Sequence, residues 1–240
     1  MNVLIACEES QRVCMAFREK GHRAFSADIQ ECSGGHPEWH ILGDVLPILN
    51  GNCEFTLQNG EREKQNGKWD LIIAHPPCTH LAVSGARHFT RKREDGRQKE
   101  GIEFFCKFLV CDCDKVAIEN PIGIIGGDYV LKWFPELSEK YGLPKKPTQI
   151  IQPYEFGHPV SKSTCLWLKN LEKLKATKIV EPERIHSKGK SGGYSGALWY
   201  VKDENGKILS YKDPRTAKER SKTFQGIAEA MAEQWGNDGI

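Results

Sequence analysis

The sequence has no long hydrophobic run and no strong excess of one charge. Of its 240 residues, 34 are Lys or Arg and 32 are Asp or Glu, so the formal net charge is only +2. No stretch approaches the roughly 20 apolar residues that a membrane-spanning helix needs. A balanced charge also excludes a broadly basic surface, so any contact with nucleic acid must come from a local basic patch.

The sequence also has no regular cysteine pattern. It contains nine cysteines, an odd number, at irregular spacing, which is typical of reduced thiols rather than of a disulfide framework. The apolar stretch 3–6 is too short for the hydrophobic region of a signal peptide. We therefore expect a cytoplasmic protein with no membrane association and no obligate protein partner.

Two groups of residues have a spacing that resembles a metal site. Cys32, His36 and His40 follow one another at intervals of four, but the spacing is loose and a fourth ligand is not evident. Cys111 and Cys113 have no partner pair. The sequence therefore predicts no metal site.

Strands and helices alternate along the chain. Hydrophobic periodicity predicts strands at 3–7, 24–27, 69–74, 115–118, 149–152 and 163–168. It predicts helices at 11–20, 101–111 and within 220–235. This alternation predicts an α/β fold with a doubly wound, mostly parallel sheet.

Three parts of unequal size are expected. Residues 1–168 form the catalytic α/β core, and residues 50–68 form an exposed polar insertion within it. Residues 169–213 are polar and glycine-bearing, which predicts a small recognition lobe or loop. Residues 214–240 contain a C-terminal helix that returns to the core.

One buried strand ends abruptly in two prolines and a cysteine, in the stretch IIAHPPCTH (72–80). Proline lacks the backbone N–H and cannot continue a sheet ladder, so the strand must stop there. Cys78 is then held at the carboxyl end of a strand, where ligands bind in open α/β sheets. A cysteine at this place can act as a nucleophile, although a free cysteine is more often a small apolar core residue.

Acidic residues follow the other predicted strands, and they are Glu8, Glu9, Asp28, Asp44 and Glu119. Carboxyl ends of parallel strands meet at one edge of a sheet, so these side chains and Cys78 predict a catalytic crevice. Each acid also has a structural explanation. Glu8 and Glu9 can be first-turn helix acids, the two aspartates can be turn residues, and Glu119 can be a salt-bridged acid.

Several blocks, in order along most of the chain, resemble the DNA cytosine-C5 methyltransferases, which use S-adenosylmethionine (SAM). Pro77-Cys78 matches the Pro-Cys block of that family, and Glu119-Asn120 matches its Glu-Asn-Val block, with Pro121 in place of valine. Residues 156–164 align with a block of the type Phe-Gly-x-Pro-Gln-x-Arg-x-Arg. The terminal helix resembles the closing block of the family.

The resemblance implies a Rossmann-like methyltransferase fold and SAM-dependent methylation of cytosine C5 in DNA. It implies that Cys78 adds to C6 of a flipped cytosine and that Glu119 binds N3 and N4 and protonates N3. That second role requires a carboxyl with a raised pKa in an enclosed site. The implied catalytic set is Cys78, Glu119, Asn120 and Lys162.

The resemblance also implies where the cofactor and the DNA bind. The implied SAM-binding residues are Ala6, Cys7, Glu8, Glu9, Ser10, Asp28, Ile29, Asp44, Val45 and Pro76, with Asp28 on the ribose hydroxyls and Asp44 at the adenine. The basic segment 87–99 can hold backbone phosphates or, since acidic residues interrupt it, form a solvated face. Trp199 and Tyr200 can stack on bases or equally anchor a hairpin.

The sequence departs from the family at two blocks. The first block of the family is glycine-rich, and Cys7, Glu9 and Ser10 occupy those places here. The two arginines of the later block become Lys162 and Thr164, which leaves Lys162 and His80 as candidates for their role.

A recognition region of about 45 residues is short and predicts low sequence specificity or a substrate other than long duplex DNA. Small size suggests a phage or mobile-element enzyme. Two other functions stay open: a pyrimidine-modifying enzyme that acts on nucleotides or RNA or uses another one-carbon donor, and a catalytically degenerate scaffold that binds nucleic acid or protein.

Overall fold

The computed structural model describes residues 1–183, 185–189, 192–196, 201–210 and 213–237. The strands are β1 (Asn2–Ala6), β2 (Arg23–Asp28), β3 (His40–Leu42), β4 (Cys53–Thr56), β5 (Arg62–Gln65), β6 (Leu71–Ala74), β7 (Val116–Pro121), β8 (Gln149–Ile151), β9 (Thr164–Lys169), β10 (Ile185–Gly189) and β11 (Gly192–Gly196). The α-helices are α1 (Arg12–Glu19), α2 (Phe89–Glu94), α3 (Arg97–Leu109), α4 (Gly127–Trp133), α5 (Pro135–Tyr141), α6 (Pro214–Ser221) and α7 (Gln225–Trp235).

Seven strands form a central sheet in the order β3-β2-β1-β6-β7-β9-β8. The first five pair in parallel, and β9 runs antiparallel to both β7 and β8. The chain moves outward from β1 to β3 and then returns to β6 on the other side of β1. The strand order therefore reverses between β1 and β6, and a ligand crevice is expected at the carboxyl ends of these two strands. The predicted doubly wound α/β fold is confirmed, and it is consistent with a Rossmann-like methyltransferase fold.

The central strands are apolar because they are covered on both faces. Every residue of β6 is buried, as are residues 3–6 of β1. One face of the sheet packs against α1 and α7, with Phe17 and Met231 in the core. The other face packs against α3, with Phe105 fully buried. Full burial of each such side chain stabilises the fold by roughly 1.5–3 kcal/mol, so the two buried layers hold the central strands in place.

The segment 50–68 was expected to be an exposed insertion, and most of its residues are exposed, but its regular structure and its contact with the core were not predicted. Strands β4 and β5 form an antiparallel hairpin, and Phe55 and Leu57 are buried. The Phe55 ring lies 5.2 Å from the Phe25 ring and 6.1 Å from the Trp69 ring. The polar residues around these two apolar side chains hid the alternating pattern of a half-buried hairpin.

Other boundaries also differ from the expectation. The predicted helix 101–111 begins earlier, at Arg97, because the polar residues 97–100 form its first turn. Helices α4 and α5 were not predicted. The terminal helix is divided into α6 and α7, and α7 packs against α1.

The predicted lobe 169–213 contains the antiparallel hairpin of β10 and β11. Trp199 and Tyr200 lie outside the described residues. None of the described helices is both long and apolar enough to cross a membrane.

Candidate active site

The loop that carries Cys78 is attached to the neighbouring strands by hydrogen bonds. The His75 backbone N–H donates to the carbonyl of Ala6 in β1 at 2.9 Å, which extends the parallel pairing past the end of β6. The Asn120 side-chain amide on β7 donates to the Pro76 carbonyl at 2.8 Å. Asn120 is buried, and its Oδ1 atom has no hydrogen-bond partner among the described residues.

The far side of the same loop is held by a buried cation. Lys92 of α2 is 8% exposed, and its Nζ donates to the Thr79 carbonyl at 2.6 Å. The Cys78 carbonyl accepts hydrogen bonds from the N–H groups of Leu81 and Ala82, each at 2.9 Å. With its flanking backbone bonded on both sides, Cys78 has a fixed position at the carboxyl end of the sheet.

Glu119 pairs with a histidine that was not predicted as a site residue. The Nδ1 atom of His75 lies 3.2 Å from Oε2 of Glu119, and the two side chains are 8% and 17% exposed. Burial raises the pKa of Glu119, but the His75 hydrogen bond and the nearby charges of Lys162 and His75 outweigh it, so the net pKa is lowered. The expectation of a raised pKa at Glu119 is therefore wrong, because the His75 side chain and Lys162 stabilise the carboxylate.

The Cys78 thiol lies within the electrostatic reach of both a carboxylate and two cations. Burial raises its pKa, and the charge of Glu119 raises it further. The charges of Lys162 and Arg220 act in the opposite direction. The net shift is upward, so the thiol is protonated at neutral pH, and the two cations are the groups that favour its ionisation.

Lys162 and His80 were the two candidates for the role of the absent arginines, and the charge of Lys162 acts on the thiol. The Lys162 Nζ donates to the Arg220 carbonyl at 2.9 Å, and a small cavity next to it is lined by Glu119, Thr164 and Phe224. The charges that act on His80 come instead from helices α2 and α3 and the turn between them. Thr164 is buried at the start of β9.

The other half of the crevice is acidic. Cys7, directly after β1, has its pKa raised to about 12 by burial and by the charges of Asp28 and Asp44, which places these three residues close together. The backbone at Cys7 has φ 59°, the left-handed conformation that glycine favours. Cys7 therefore follows the backbone path of the missing glycine, at a cost of roughly 1–2 kcal/mol.

The two glutamates after β1 have different environments. Glu8 is buried, and its carboxylate accepts the N–H groups of Val13 at 2.7 Å and Cys14 at 3.1 Å. It therefore binds the first turn of α1, where N–H groups have no helical partner. The Glu9 carboxylate is different, because its Oε2 atom is buried and has no hydrogen-bond partner among the described residues.

The remaining predicted cofactor residues lie around this acidic half. The Asp28 and Asp44 carboxylates each accept one backbone N–H two residues further on. Ile29 is 79% exposed, an unusual state for isoleucine. The residues with little or no exposed surface are Ala6, Ser10, Val45 and Pro76, so contact with a ligand would come mainly from their backbone.

This acidic half suits one class of ligand. An unpartnered Glu9 oxygen and two carboxylates at the strand ends can accept hydrogen bonds from hydroxyl and ammonium groups. The exposed Ile29 side chain offers an apolar contact beside them. These residues fit SAM, which carries ribose hydroxyls, an ammonium group and a sulfonium charge.

Only part of the basic segment 87–99 is available to a ligand. Arg97 bonds to Asp95, and Arg93 donates to the Tyr129 hydroxyl at 2.7 Å and lies over the Trp133 ring. Lys92 is buried. The exposed basic residues are Arg87, His88, Arg91 and Lys99.

The residues with metal-like spacing have separate partners. His36 bonds to Glu38 at 2.9 Å, while His40 bonds to the Ser26 hydroxyl and to the Gln30 carbonyl. The part of the chain that the structure describes contains no group of three or more metal-ligating side chains.

Comparison with known proteins supports no family assignment. No protein-family model matches the chain, and no curated protein matches it. Among solved structures, the chain is similar to an E. coli protein described as a "putative DNA modification methyltransferase encoded within prophage", with a TM-score of 0.45 and 13% sequence identity. The similarity covers 75% of this chain and 52% of that one, so the chain spans about half the length of that protein. A similarity this low supports no conclusion about activity. The fold is assigned from the strand order and strand pairing of this chain.

Sequence reasoning missed His75 and Arg220 as members of the site. The sequence could have indicated His75, because it is a polar residue at the point where a buried strand ends. It could not have indicated Arg220, because only the fold of the C-terminal segment brings that residue to the crevice.

Proposed function

We propose that the protein is a SAM-dependent methyltransferase that modifies C5 of cytosine in DNA through a covalent bond between Cys78 and C6. The observation that supports this most directly is the grouping of Cys78, Glu119 and Lys162. The thiol lies in the loop after β6, and the carboxylate lies on the neighbouring strand β7. The charges of Glu119 and Lys162 both act on the thiol, and the charge of Lys162 also acts on Glu119. This grouping provides a nucleophile, a hydrogen-bonding acid and a cation in one enclosed place.

The chemistry of cytosine explains why these groups are needed. C5 of cytosine is too weak a nucleophile to take a methyl group unaided. Addition of the Cys78 thiolate to C6 converts the ring to an enamine, and this divides one difficult step into two easier ones. Lys162 and Arg220 favour the thiolate, while Glu119 accepts a hydrogen bond from the N4 amino group and acts at N3 as the ring gains electrons.

Asn120 has an indirect role in this scheme. Its amide holds the Pro76 carbonyl, so it fixes the loop that positions Cys78. We therefore assign Asn120 to positioning rather than to contact with the base.

The acidic half of the crevice would hold the cofactor. SAM supplies an electrophilic methyl group when bound. Asp28 would accept the ribose hydroxyls, Asp44 would face the adenine, and Glu9 would bind the ammonium end. Ile29 would provide an apolar contact to the adenine, and Val45 would contribute its backbone.

DNA would approach from the side of α2. A cytosine inside a duplex cannot reach a buried thiol, so it must leave the base stack. The exposed Arg87, His88 and Arg91 lie in the segment that follows the Cys78 loop and would contact backbone phosphates. The small predicted lobe 169–213 implies few base contacts and low sequence specificity.

A mechanism-based substrate tests the proposal. The purified protein is mixed with SAM and DNA oligonucleotides that contain 5-fluorocytosine, since fluorine at C5 prevents release after methyl transfer. We expect a SAM-dependent covalent complex that migrates more slowly on a denaturing gel and is absent for Cys78→Ala. Cys53→Ser, at a partly buried thiol on β4, is the matched control and should form the complex normally.

Failure of this experiment has two distinct forms. SAM binding in calorimetry without a covalent complex would contradict a DNA substrate and favour a pyrimidine in a nucleotide or RNA. A folded protein that binds no SAM would contradict a methyltransferase and favour a scaffold that only binds nucleic acid or protein.

A further inference from the structure

His75 is a buried, ionisable residue that the proposed reaction has not yet used. It lies between the end of β6 and the two prolines, and its side chain is 8% exposed. Its Nδ1 atom is 3.2 Å from Oε2 of Glu119. The contact joins two residues 44 positions apart in the sequence, so the fold, rather than local geometry, creates it.

The charges around His75 favour a protonated imidazole. Glu119 faces it from β7, Glu8 from the loop after β1, and Lys162 from the loop before β9. Burial lowers the pKa of His75, but the hydrogen bond and charge of Glu119, together with the charge of Glu8, outweigh it and raise the pKa. The Glu119 carboxylate, 3.2 Å away, is therefore the main group that stabilises the imidazolium against burial and one opposing lysine.

The two ring nitrogens of His75 have different surroundings. The Nε2 atom of His75 is buried and has no hydrogen-bond partner among the described residues. The single hydrogen bond of the ring, from Nδ1 to Glu119, therefore sets the ring's orientation toward that carboxylate. Here only the nitrogen that faces Glu119 is used.

We propose, on the basis of the proposed function, that His75 is the positioning residue and proton store of Glu119. Its imidazolium holds the Glu119 carboxylate toward the target base and keeps one proton within the pair. Glu119 alone, as a carboxylate, has no proton to give to N3. The pair supplies that proton without a protonated glutamate in the resting protein.

The proton and electron flow balance. The Cys78 thiol first loses its proton to solvent, and the thiolate sulfur then forms a bond to C6. The C5=C6 electron pair shifts to C4–C5, and the C4=N3 pair moves onto N3. N3 takes a proton from Glu119, and Glu119 takes one from Nδ1 of His75. His75 ends neutral, Glu119 is again a carboxylate, and the proton returns along the same path when the adduct breaks down.

The first test needs no substrate. In protein labelled with ¹⁵N-histidine, the His75 signals are identified by their absence in His75→Gln. We expect His75 to remain an imidazolium above pH 6.5, the ordinary pKa of histidine, and to lose its proton at lower pH in Glu119→Gln. A neutral His75 at pH 6.5, or an unchanged titration in Glu119→Gln, would overturn the inference whatever the activity.

The second test measures the rate of adduct formation on 5-fluorocytosine DNA against pH. In the wild type the rate should rise with pH while Cys78 thiolate accumulates and should level off as pH passes through the raised pKa of His75, because loss of the stored proton then offsets the gain in thiolate. Gln can hydrogen-bond Glu119 but stores no proton. His75→Gln should therefore react about 100-fold more slowly at pH 7.5, the lower range for general acid catalysis, and its rate should level off at a lower pH, set by protonation of Glu119 itself.

The outcomes separate the two proposals. An unchanged rate and pH profile in His75→Gln would overturn the role of His75 and leave the proposed function standing. A protein that forms no adduct but shows a His75 imidazolium dependent on Glu119 would overturn the proposed function and leave the pairing standing. Calorimetric SAM binding by His75→Gln checks that the variant is folded.

Discussion

Cys7 and Cys78 occupy equivalent places in the fold but opposite electrostatic environments. Each follows the carboxyl end of a central parallel strand, β1 for one and β6 for the other, and each is partly buried. The pKa of Cys7 is raised to about 12 by burial and by Asp28 and Asp44. At Cys78 the raising effects of burial and Glu119 are opposed by Lys162 and Arg220.

The comparison shows that a position at the sheet edge does not by itself make a thiol reactive. Ionisation depends on whether the neighbouring charges are negative or positive. The β1–β3 side of the crevice is acidic and suits a cationic, hydroxyl-bearing cofactor. The β6–β9 side combines a carboxylate with cations and suits nucleophilic attack on a base.

The largest expected effect comes from removing one thiol and then the other. Cys78→Ala should lower adduct formation on 5-fluorocytosine DNA by about 1,000-fold or more, since the covalent step loses its nucleophile. Cys7→Ser should stay within about tenfold of the wild type, because that thiol is not a reactant. Quantitative denaturing gels measure both, and equal losses in the two variants would contradict the assignment.

The second effect concerns the Glu119 carboxylate. Glu119→Gln keeps the size of the side chain but removes the charge and the path for the proton to N3. We expect adduct formation to slow by about 100- to 1,000-fold, with SAM binding unchanged because the cofactor half is separate. Single-turnover rates and calorimetry on the same preparation measure the two quantities, and a loss confined to SAM binding would refute the division of the crevice.

Lys162 should control the ionisation of Cys78. Lys162→Met removes a cation that lowers the pKa of the thiol, so the pKa should rise and less thiolate should be present at pH 7.5. Alkylation of Cys78 by iodoacetamide should slow by about fivefold, as measured by peptide mass spectrometry over time. Lys222→Met is the matched control, since Lys222 lies in the same cavity but pairs with Glu219; an equal slowing there would exclude a specific role for Lys162.

Removing a charge from the acidic half of the crevice should affect Cys7 and SAM binding but not Cys78. Asp28→Asn removes one of the charges that raise the pKa of Cys7, so that pKa should fall, and it weakens an acceptor for the ribose hydroxyls. We expect SAM affinity to drop by about tenfold in calorimetry, with the alkylation rate of Cys78 unchanged. A change at Cys78 as large as that at Cys7 would show that the two halves are not electrostatically independent.

The smallest expected effect lies in the loop between the two halves. Asn120→Ala removes the hydrogen bond to the Pro76 carbonyl. The free energy of unfolding in urea should fall by about 1 kcal/mol, and adduct formation should slow by a few-fold because Cys78 is less well positioned. A loss as large as that in Glu119→Gln would mean that Asn120 contacts the base.

The sequence predicts the central strands and the edge at which the site lies, for physical reasons. Buried parallel strands appear as short apolar runs, and the two prolines mark the end of β6. The sequence does not predict the buried face of the β4–β5 hairpin, because that face consists of only two apolar side chains within a polar stretch. The His75–Glu119 contact and the position of Arg220 depend on three-dimensional packing between distant segments, which periodicity and spacing do not contain.

The most direct measurement identifies which cysteine carries the pyrimidine. The covalent complex formed by the wild-type protein with SAM and 5-fluorocytosine DNA is digested with protease and nuclease, and the modified peptide is sequenced by mass spectrometry. The account predicts a methylated fluoropyrimidine on Cys78 and an unmodified Cys7. A pyrimidine on Cys7 or on any other thiol, or a folded, SAM-bound protein with no modified peptide, would contradict it.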